Sequence, residues 1–413
     1  MEHVLAQPPS VGSRTHLPPL YLRKDEERRL RAGHLWIFSN EIDTDRSPLK
    51  SFSAGQQVEV RSHRDRVLGT AYVNPHTLIC ARLVSRQRHQ RLDYDLLLAR
   101  LRRALAMRQR RYPGACYRLV FGEGDCLPGL VIDRFGDACV IQITTAGMEA
   151  LKQDIVAAVE TLLQPAHIIL RNDTAVRLLE ALPLYVETIH GNPPDCVMVE
   201  ENGARFCCNP LTGQKTGWYY DHRDNRARLA PYARGARVLD LFSYSGAWGV
   251  QAALAGACEV LCVDDSRQAL EQALQNARQN GVGAKVSILD GDAFDALRNL
   301  REERQRFDVV VVDPPAFIKR KKDLAGGLDA YRRLNQLAMQ VLTEDGILVS
   351  ASCSYHLKHE AFLGVLRQAA QQASGCCLQI LEQGHQGADH PVHPAIPETN
   401  YLKAFFCRPL PPP

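Results

Sequence analysis

The chain has 413 residues, a formal net charge of +4 and an ordinary globular composition, with 45% hydrophobic and 23% charged residues. This length exceeds what one hydrophobic core fills, so two or three domains are expected. The net charge is too small by itself to indicate a nucleic-acid partner, and no run of 18 apolar residues predicts a membrane span.

The cysteine pattern excludes one common kind of metal site. There are 13 cysteines, an odd number, and no two of them form a Cys-x-x-Cys pair, so a structural zinc site is not expected. The N-terminal residues lack the continuous apolar core of a signal peptide. We predict a cytoplasmic protein without a metal or a membrane partner, with its thiols reduced and free.

The N-terminal part of the chain combines turn-forming residues with short β-type runs. Residues 1–20 contain four prolines and little periodicity, which predicts a flexible lead-in. Four runs follow, HLWIFSNEI, QQVEVRSH, RVLGTAYVN and TLICARLV, separated by Gly, Pro, Asn or Asp. The pattern predicts a small β-barrel, and we place this domain at residues 21–92.

The next segment mixes helical and strand patterns. In DYDLLLARLRRALAMRQRRY, Leu97, Leu101, Leu105 and Met107 recur near helical spacing with arginines opposite, which predicts an amphipathic helix. Two strands around a Phe-Gly-Asp turn, the helix MEALKQDIVAAVETLLQ and the strand AHIILRND follow. This order predicts a small α+β domain at residues 93–205.

Two segments carry a local excess of positive charge. From Arg82 to Arg118 there are eleven arginines, no lysine and two acids, and KRKK spans Lys319 to Lys322. Such runs are often solvated surface, and they are also typical of a track that binds a polyanion. The sequence alone leaves both interpretations open.

From Arg237 strands and helices alternate strictly. The runs RVLDLF, EVLCVD, KVSILD and FDVVVVDPP have the near-continuous apolar character of buried parallel strands, and helix-forming segments separate them. This alternation predicts an α/β domain with a doubly wound, mostly parallel, Rossmann-like sheet at residues 206–413.

The first strand of this sheet leads into DLFSYSGAWG. Asp240, Gly246 and Gly249 suit a nucleotide site, but their spacing is not Gly-x-Gly-x-x-Gly, and Tyr244 and Trp248 would crowd a pyrophosphate. S-adenosylmethionine has no phosphate, and it requires a close backbone turn and a carboxylate for its ribose hydroxyls. We therefore predict S-adenosylmethionine rather than a dinucleotide.

Acidic residues follow the next two strands. Asp264 closes the second strand and Asp292 follows the third, so each can contact a ligand at the carboxyl edge of the sheet. Both also stand where a helix begins, and N-capping is the alternative role. For the first of these helices, Asp265 or Ser266 can supply the cap while Asp264 binds ribose.

The fourth and fifth strands end in VDPPAF and SASCSYH. Two prolines cannot continue a parallel ladder, so Asp313 and the Pro314 carbonyl are expected to face outward, with Phe317 free to stack on a ring. Cys353 would lie on the same edge as Asp313, facing one cavity. Cys353 is therefore a candidate nucleophile, and a buried packing residue is the alternative.

A thiol at this edge suits methylation of a carbon that is a poor nucleophile. Attack of a thiolate on carbon 6 of cytosine makes carbon 5 electron-rich enough to accept a methyl group from a sulfonium. A carboxylic acid at nitrogen 3 would stabilise the developing charge, and Asp313 is the candidate for this role.

With DLFSYSGAWG, VDPPAF and SASCSYH in place, the sequence resembles the bacterial 23S ribosomal RNA cytosine-C5 methyltransferases. These join an N-terminal PUA domain, a central α+β domain and a Rossmann-like class I methyltransferase domain. The similarity covers nearly the whole chain. RRLRAGHLWIFSNEI resembles the PUA part, YRLVFGEGDCLPGLVIDRFGD the central domain, GQKTGWYYDHRDNR the segment before the catalytic domain, and GADHPV with YLKAFFCR the closing strands.

The resemblance implies an S-adenosylmethionine-dependent enzyme whose partner is ribosomal RNA or the large ribosomal subunit. It implies Cys353 as the attacking thiol and Asp313 as the second catalytic residue. It places the target base at Pro314, Pro315 and Phe317. The implied cofactor contacts are Asp240, Ser243, Tyr244, Gly246, Gly249, Asp264, Asp292, Asp221 and Arg223. For Asp221 and Arg223 the alternative is an ion pair that holds their segment to the sheet.

One departure keeps other functions open. Many RNA cytosine-C5 methyltransferases carry a second cysteine beside the Asp-Pro motif to assist release, and DPPAFIK has none. Asp-Pro-Pro-aromatic turns also resemble those of enzymes that methylate guanine N7 or exocyclic nitrogens, in which case Cys353 is structural. A non-catalytic RNA-binding or ribosome-assembly factor and a small-molecule methyltransferase are further alternatives. The oligomeric state is not indicated by the sequence.

Overall fold

The structure is a computed structural model that describes residues 16–375 and 377–410. Its first unit is a curled five-stranded sheet with strand order β1-β3-β4-β5-β2. A bridge between Leu22 and Ile42 joins the chain beyond β1 to the chain beyond β2, which curls the sheet toward closure. The elements are β1 (Pro19–Tyr21), α1 (Glu27–Arg31), β2 (Trp36–Ile37), β3 (Gln57–Arg61), β4 (Val67–Val73) and β5 (Ala81–Ser85).

Strand β1 corrects one expectation. Pro19 and Leu20 pair with β3, so the prediction that residues 1–20 form a flexible lead-in is wrong for these two. Leu20 is fully buried. It therefore packs in the core although the surrounding sequence has little periodicity. Residues 1–15 lie outside the described part of the chain.

The second unit is a five-stranded sheet of order β10-β9-β8-β7-β6. All its neighbouring strands are antiparallel except β8 and β9. The helices cover one face, where a core of Leu, Ile and Val side chains forms. The elements are α2 (Tyr94–Arg111), β6 (Cys116–Phe121), β7 (Leu130–Phe135), β8 (Ala138–Ile143), α3 (Ala146–Glu149), α4 (Lys152–Leu163), β9 (His167–Asn172) and β10 (Tyr185–His190).

Helix α2 confirms the predicted amphipathic helix but not all of its buried face. Leu97 and Leu101 are fully buried, whereas Met107 is 57% exposed. Arg108 takes the inward position instead, and its guanidinium forms two hydrogen bonds of 2.6 and 2.7 Å with the carboxylate of Asp125. Apolar periodicity cannot predict an ion pair in the interior, because it considers only the apolar side chains.

A two-stranded hairpin, β11 (Val197–Glu201) and β12 (Ala204–Cys208), leads to the third unit. Beside it a disulfide joins Cys196 and Cys207. The prediction that all thiols are free is therefore wrong for this pair. That prediction rested on the expected reducing compartment. The hairpin register places Met198 opposite Cys207, and this brings Cys196 within reach of Cys207.

The third unit is a seven-stranded sheet of order β15-β14-β13-β16-β17-β19-β18. Strands β13 to β17 are parallel, and β19 runs antiparallel between β17 and β18. The elements are α5 (Arg223–Ala233), β13 (Arg237–Leu241), α6 (Ala247–Leu254), β14 (Glu259–Asp264), α7 (Arg267–Gln279), β15 (Val286–Asp290), α8 (Ala293–Glu302), β16 (Phe307–Val312), α9 (Leu324–Gln340), β17 (Leu342–Ser352), α10 (His359–Ser374), β18 (Cys377–Gly384) and β19 (Lys403–Leu410).

Each face of this sheet has its own hydrophobic core. In β13, Val238 packs with the α6 and α7 side, and Leu239 packs with the α8, α9 and α10 side. The alternation follows from strand geometry, since successive side chains point to opposite faces. The predicted doubly wound α/β sheet is confirmed. No helix among the described residues is long and apolar enough to cross a membrane.

Candidate active site

The register of the parallel strands aligns their carboxyl ends at one edge of the sheet. Leu241 pairs with Val263 in β14 and with Val312 in β16, and Val312 pairs with Ser350 in β17. The segments that follow β13, β14, β16 and β17 therefore meet at this edge, where doubly wound folds bind ligands. The structure thus brings the predicted site residues of these four segments together.

The turn after β13 is sharply folded. Phe242, Tyr244 and Gly246 all have positive φ angles, of 60°, 47° and 78°. A Cβ added at Gly246 would lie 2.8 Å from the Cβ of Ala273, so α6 approaches α7 as closely as it does because residue 246 is glycine. The turn is therefore compact, and Ser243, Ser245 and Gly246 within it are buried.

Asp264 fixes this turn from the neighbouring strand. Its carboxylate accepts hydrogen bonds from Tyr244 N at 2.8 Å and from Ser266 N at 3.0 Å. Burial raises the pKa of Asp264. Ser266, and not Asp264, caps α7, because its hydroxyl accepts from Ala269 N. Asp264 remains partly exposed at the strand end.

Asp240 lies underneath the same turn. Its Oδ2 accepts a hydrogen bond of 2.9 Å from Gly249 N, while its Oδ1 and the hydroxyls of Ser243 and Ser245 are buried without a protein partner. Burial raises the pKa of Asp240 to about 8. Unpartnered buried polar atoms are rare in native proteins, so this turn is built to receive donors or acceptors from elsewhere.

Asp292 has a more local role. Its Oδ1 accepts hydrogen bonds from Phe294 N and Asp295 N at the beginning of α8, so it is the N-cap of that helix. The side chain is exposed. The capping interpretation accounts for its position, and its predicted contact with the cofactor stays a prediction.

The turn after β16 is held by two side chains that sequence reasoning did not assign. His222 Nε2 lies 3.2 Å from Asp313 Oδ1, and Trp248 Nε1 donates to Asp313 Oδ2 at 3.1 Å. The amide nitrogen of Asn225 lies 3.2 Å from His222 Nδ1, so both ring nitrogens of His222 have a polar neighbour.

These contacts decide the charge of Asp313. Burial alone would raise its pKa, but the charge and hydrogen bond of His222 and the hydrogen bond of Trp248 hold the pKa below its ordinary value. The expected carboxylic acid is therefore a carboxylate in this structure. The predicted role of Asp313 as an acid at nitrogen 3 stays a prediction, and the sequence interpretation contained neither of these two partners.

The Pro-Pro turn places backbone beside the thiol. Pro314 is buried and Pro315 is exposed, and the Sγ of Cys353 lies 4.0 Å from the Pro314 carbonyl oxygen. The ring of Phe317 packs against Tyr331 with centroids 4.8 Å apart. Phe317 is thus partly engaged in the core, and its predicted stacking on a base stays a prediction.

The two serines around Cys353 both form a hydrogen bond with the same tyrosine. The Ser352 hydroxyl lies 2.9 Å and the Ser354 hydroxyl 3.0 Å from the hydroxyl of buried Tyr331. Ser354 also accepts from Ile318 N. These bonds fix the backbone on both sides of Cys353 and bind it to the Pro-Pro segment. Burial raises the pKa of the Cys353 thiol to about 11.

Asp221 and Arg223 do not pair with each other in the structure. Tyr401 donates a 2.6 Å hydrogen bond to Asp221 Oδ2. Despite its burial, the charges of Lys215 and two histidines hold the pKa of Asp221 far below its ordinary value. The Arg223 guanidinium lies 4.4 Å from the ring centroid of Tyr112, and its Nε lies 3.6 Å from the carboxylate of Glu201. The predicted cofactor contacts of Asp221 and Arg223 stay predictions.

Comparison with known proteins agrees with this arrangement. Residues 118–406 match the model of a family of S-adenosylmethionine-dependent methyltransferases, which is more than half of the chain. The chain belongs to this methyltransferase family. Residues 20–86 match a PUA-like domain model, which confirms the predicted nature of the N-terminal sheet.

Curated relatives of this methyltransferase match over nearly its whole length. The Ribosomal RNA large subunit methyltransferase I of Aliivibrio fischeri is 37% identical over 394 residues, which are 94% of this chain and 98% of the relative. The protein of the same name from Vibrio cholerae serotype O1 is 38% identical over 400 residues, or 95% and 100%. A putative methyltransferase from Streptococcus mutans has the same fold, with a TM-score of 0.80 at 22% identity, covering 95% of this chain and 100% of that one.

The residues at the strand ends fit S-adenosylmethionine, the cofactor of the family. The unpartnered polar atoms beneath the turn after β13, on Asp240, Ser243 and Ser245, match a ligand with a polar amino acid portion. Asp264 presents a partly exposed carboxylate for ribose hydroxyls. When bound, the cofactor supplies a methyl group attached to a positive sulfur.

The sequence analysis did not predict that His222 and Trp248 contact Asp313, and it did not name Lys403. His222 and Trp248 stand in segments that were singled out, YYDHR and SGAWG, but no spacing rule relates them to Asp313. Lys403, whose ammonium donates to the Ser354 carbonyl oxygen at 2.7 Å, follows Cys353 by 50 residues in sequence. The signal that could have found it is its place in a strand neighbouring β17.

Proposed function

We propose that this methyltransferase modifies large-subunit ribosomal RNA and forms 5-methylcytidine through a covalent adduct on Cys353. Relatives 37% and 38% identical over most of the chain carry the name Ribosomal RNA large subunit methyltransferase I, which supports the RNA substrate. The observation that carries the chemistry is the position of Cys353, whose Sγ lies 4.0 Å from the Pro314 carbonyl, next to Asp313.

The proposed reaction begins with the Cys353 thiolate. Its sulfur bonds to carbon 6 of the cytosine, and the electrons of the 5,6 double bond make carbon 5 nucleophilic. Carbon 5 then takes the methyl group. A base then removes the proton on carbon 5, the double bond forms again, and the sulfur leaves with the electrons of the C–S bond as the Cys353 thiolate. The rigid Ser352–Tyr331–Ser354 network holds the thiol in place through this sequence.

Asp313 orients the base in this proposal. As a carboxylate it accepts a hydrogen bond from the 4-amino group of cytosine, and His222 and Trp248 fix its direction. Donation of a proton to nitrogen 3 requires that a proton first reaches the pair formed by Asp313 and His222. The adjacent Pro314 carbonyl offers a second acceptor for the amino group.

Two regions supply affinity for phosphates. The PUA-like domain is one, and the exposed cluster from Lys319 to Lys322, next to the Pro-Pro turn, is the other. Of the eleven arginines in the arginine-rich segment, Arg82, Arg108 and Arg118 are bound to buried carboxylates, whereas seven others are exposed. RNA binding should therefore weaken as the salt concentration rises.

The test is to identify the product. The protein is incubated with isotopically labelled S-adenosylmethionine and bacterial ribosomal RNA, and the RNA is digested to nucleosides for mass spectrometry. Labelled 5-methylcytidine is the expected product. Label in no nucleoside, with either naked RNA or ribosomal particles, would contradict the RNA substrate.

A nitrogen target is the second candidate, and one observation favours it. The ionised Asp313 and the Pro314 carbonyl are both acceptors, a set that can orient an amino group for methylation without a nucleophile. A raised thiol pKa fits this reading too, since a protonated Cys353 is a packing residue. A labelled methylguanosine or methyladenosine would establish this alternative and remove Cys353 from the chemistry.

A further inference from the structure

A lysine from the neighbouring strand spans the backbone at Cys353. Lys403 begins β19 and pairs with Ser352, the residue before Cys353. Its ammonium donates hydrogen bonds of 2.7 Å to the carbonyl oxygens of Ser354, the residue after Cys353, and of Tyr401. The backbone of Lys403 is thus paired with the residue before Cys353, and its positive charge is bound to the residue after Cys353.

The thiol needs such a charge. Burial, together with the nearby carboxylates of Asp313 and Asp221, raises the pKa of Cys353 to about 11, although the charge of Lys215 lowers it. Only a thiolate is a competent nucleophile. The phenols that also surround the thiol, Tyr219, Tyr331 and Tyr401, have raised pKa values and stay neutral.

The interaction between the two groups is mutual. Burial lowers the pKa of Lys403 to about 8, and the negative charge of Cys353 raises it, while the charge of Lys358 lowers it. A coupling free energy acts equally in both directions. Because the thiolate raises the pKa of Lys403, the same coupling means that the ammonium lowers the pKa of Cys353.

We propose that Lys403 is the positioning residue whose ammonium stabilises the Cys353 thiolate. The inference rests on the proposed nucleophilic role of Cys353. On ionisation, the S–H bond of Cys353 breaks and its proton passes to water, which leaves a thiolate beside the Lys403 ammonium. No oxidant or further reactant takes part. Lys403 does not touch the substrate and acts through the thiol.

The test is the pH profile of Cys353 alkylation by iodoacetamide, which requires no RNA. Modification is quantified on the tryptic peptide of residues 334–358, which contains no other cysteine. Lys403→Met should move the midpoint upward by at least one pH unit, so that alkylation at pH 7.5 is roughly 10-fold slower. Lys403→Arg, which keeps the charge, should stay within about threefold of the wild-type rate.

Matched variants separate charge from structure. Lys358→Met removes an exposed cation stacked on Tyr355 at 4.0 Å, extends the peptide to residue 367 without adding a cysteine, and should not raise the midpoint. Lys403→Gln keeps a hydrogen-bond donor without the charge and should behave like Lys403→Met. Calorimetry with S-adenosylmethionine verifies that each variant is folded.

Two results would overturn the inference. One is a Lys403→Met profile that superimposes on that of the wild type. The other is a larger upward shift in Lys215→Met, which would make Lys215 the counter-charge. Because alkylation does not depend on the RNA target, the Lys403 result stays readable if the labelled product is not 5-methylcytidine.

Discussion

The turns after β13 and β16 lie side by side at the edge of one sheet, and their buried polar groups are in opposite states. Beneath the first turn, Asp240 has an unpartnered oxygen and a pKa raised to about 8. In the second turn, both oxygens of Asp313 have donors and the pKa is lowered. The first turn has buried polar atoms without a protein partner, while both carboxylate oxygens in the second turn are paired. Burial alone therefore does not determine the state of a carboxyl group here.

The largest effect on RNA methylation should come from substitution of Cys353, which lies beside the second turn. Cys353→Ala removes the proposed nucleophile and should lower RNA methylation at least about 10³-fold, while the affinity for S-adenosylmethionine changes only a few-fold. Methylation is measured by transfer of label, and affinity by calorimetry. Cys258→Ala, which removes an exposed thiol of the same domain, serves as the control. Near-normal turnover of Cys353→Ala would disprove the covalent route.

Asp313→Asn should lower methylation by roughly 10² to 10³-fold. The substitution removes the charge and turns one acceptor into an amide that meets the donor of His222 or Trp248. Initial rates at saturating cofactor provide the measurement. Asp308→Asn, in the same strand at its opposite end, is the matched control, since Asp308 bonds Arg237 N and Thr343 there. Equal rates for the two variants would remove Asp313 from the site.

At the first turn, Asp264→Ala should weaken binding of S-adenosylmethionine by about 10 to 100-fold. It removes both the proposed ribose acceptor and the bonds that hold Tyr244 and Ser266. Calorimetry measures the change, with Asp265→Ala as the control at the exposed neighbouring position. If both variants bind the cofactor equally well, the ribose lies elsewhere.

The smallest effect concerns stability at Asp240. Its pKa is about 8 in the folded state and near 4 when unfolded, so the folded state keeps a proton that the unfolded state loses. Stability should therefore fall as pH rises from about 4 to about 8. Asp240→Asn lacks this titration. The difference in the free energy of unfolding between the variant and the wild type should therefore change by about 1 to 3 kcal/mol between pH 5 and pH 8. Urea unfolding at several pH values measures it, and parallel curves would mean that Asp240 is ionised throughout.

Much of the fold follows from local pattern. The alternation from Arg237 onward fixes a parallel sheet because continuous apolar runs need cover on both faces. The carboxyl ends of parallel strands share one edge, so the sequence was sufficient to place Asp264, Asp313 and Cys353 together. The domain limits near residues 92 and 205 stay predictions.

What the sequence could not supply are partners brought in by tertiary structure. The ionised state of Asp313 depends on His222 and Trp248, which come from two other segments. The inward position of Arg108 depends on Asp125. Apolar periodicity and capping patterns describe neighbours within a few residues, and they carry no information about such pairs.

The position of β19 has a consequence for how the protein is made. Although β19 follows both β17 and β18 along the chain, it lies between them in the sheet, and Lys403 is its first residue. During translation, β18 cannot join the sheet until β19 has been made, while the strands from β13 to β17 have already emerged and can pair. The nascent chain would then acquire the cofactor platform before Lys403 braces the proposed nucleophile, so binding competence would precede catalytic competence.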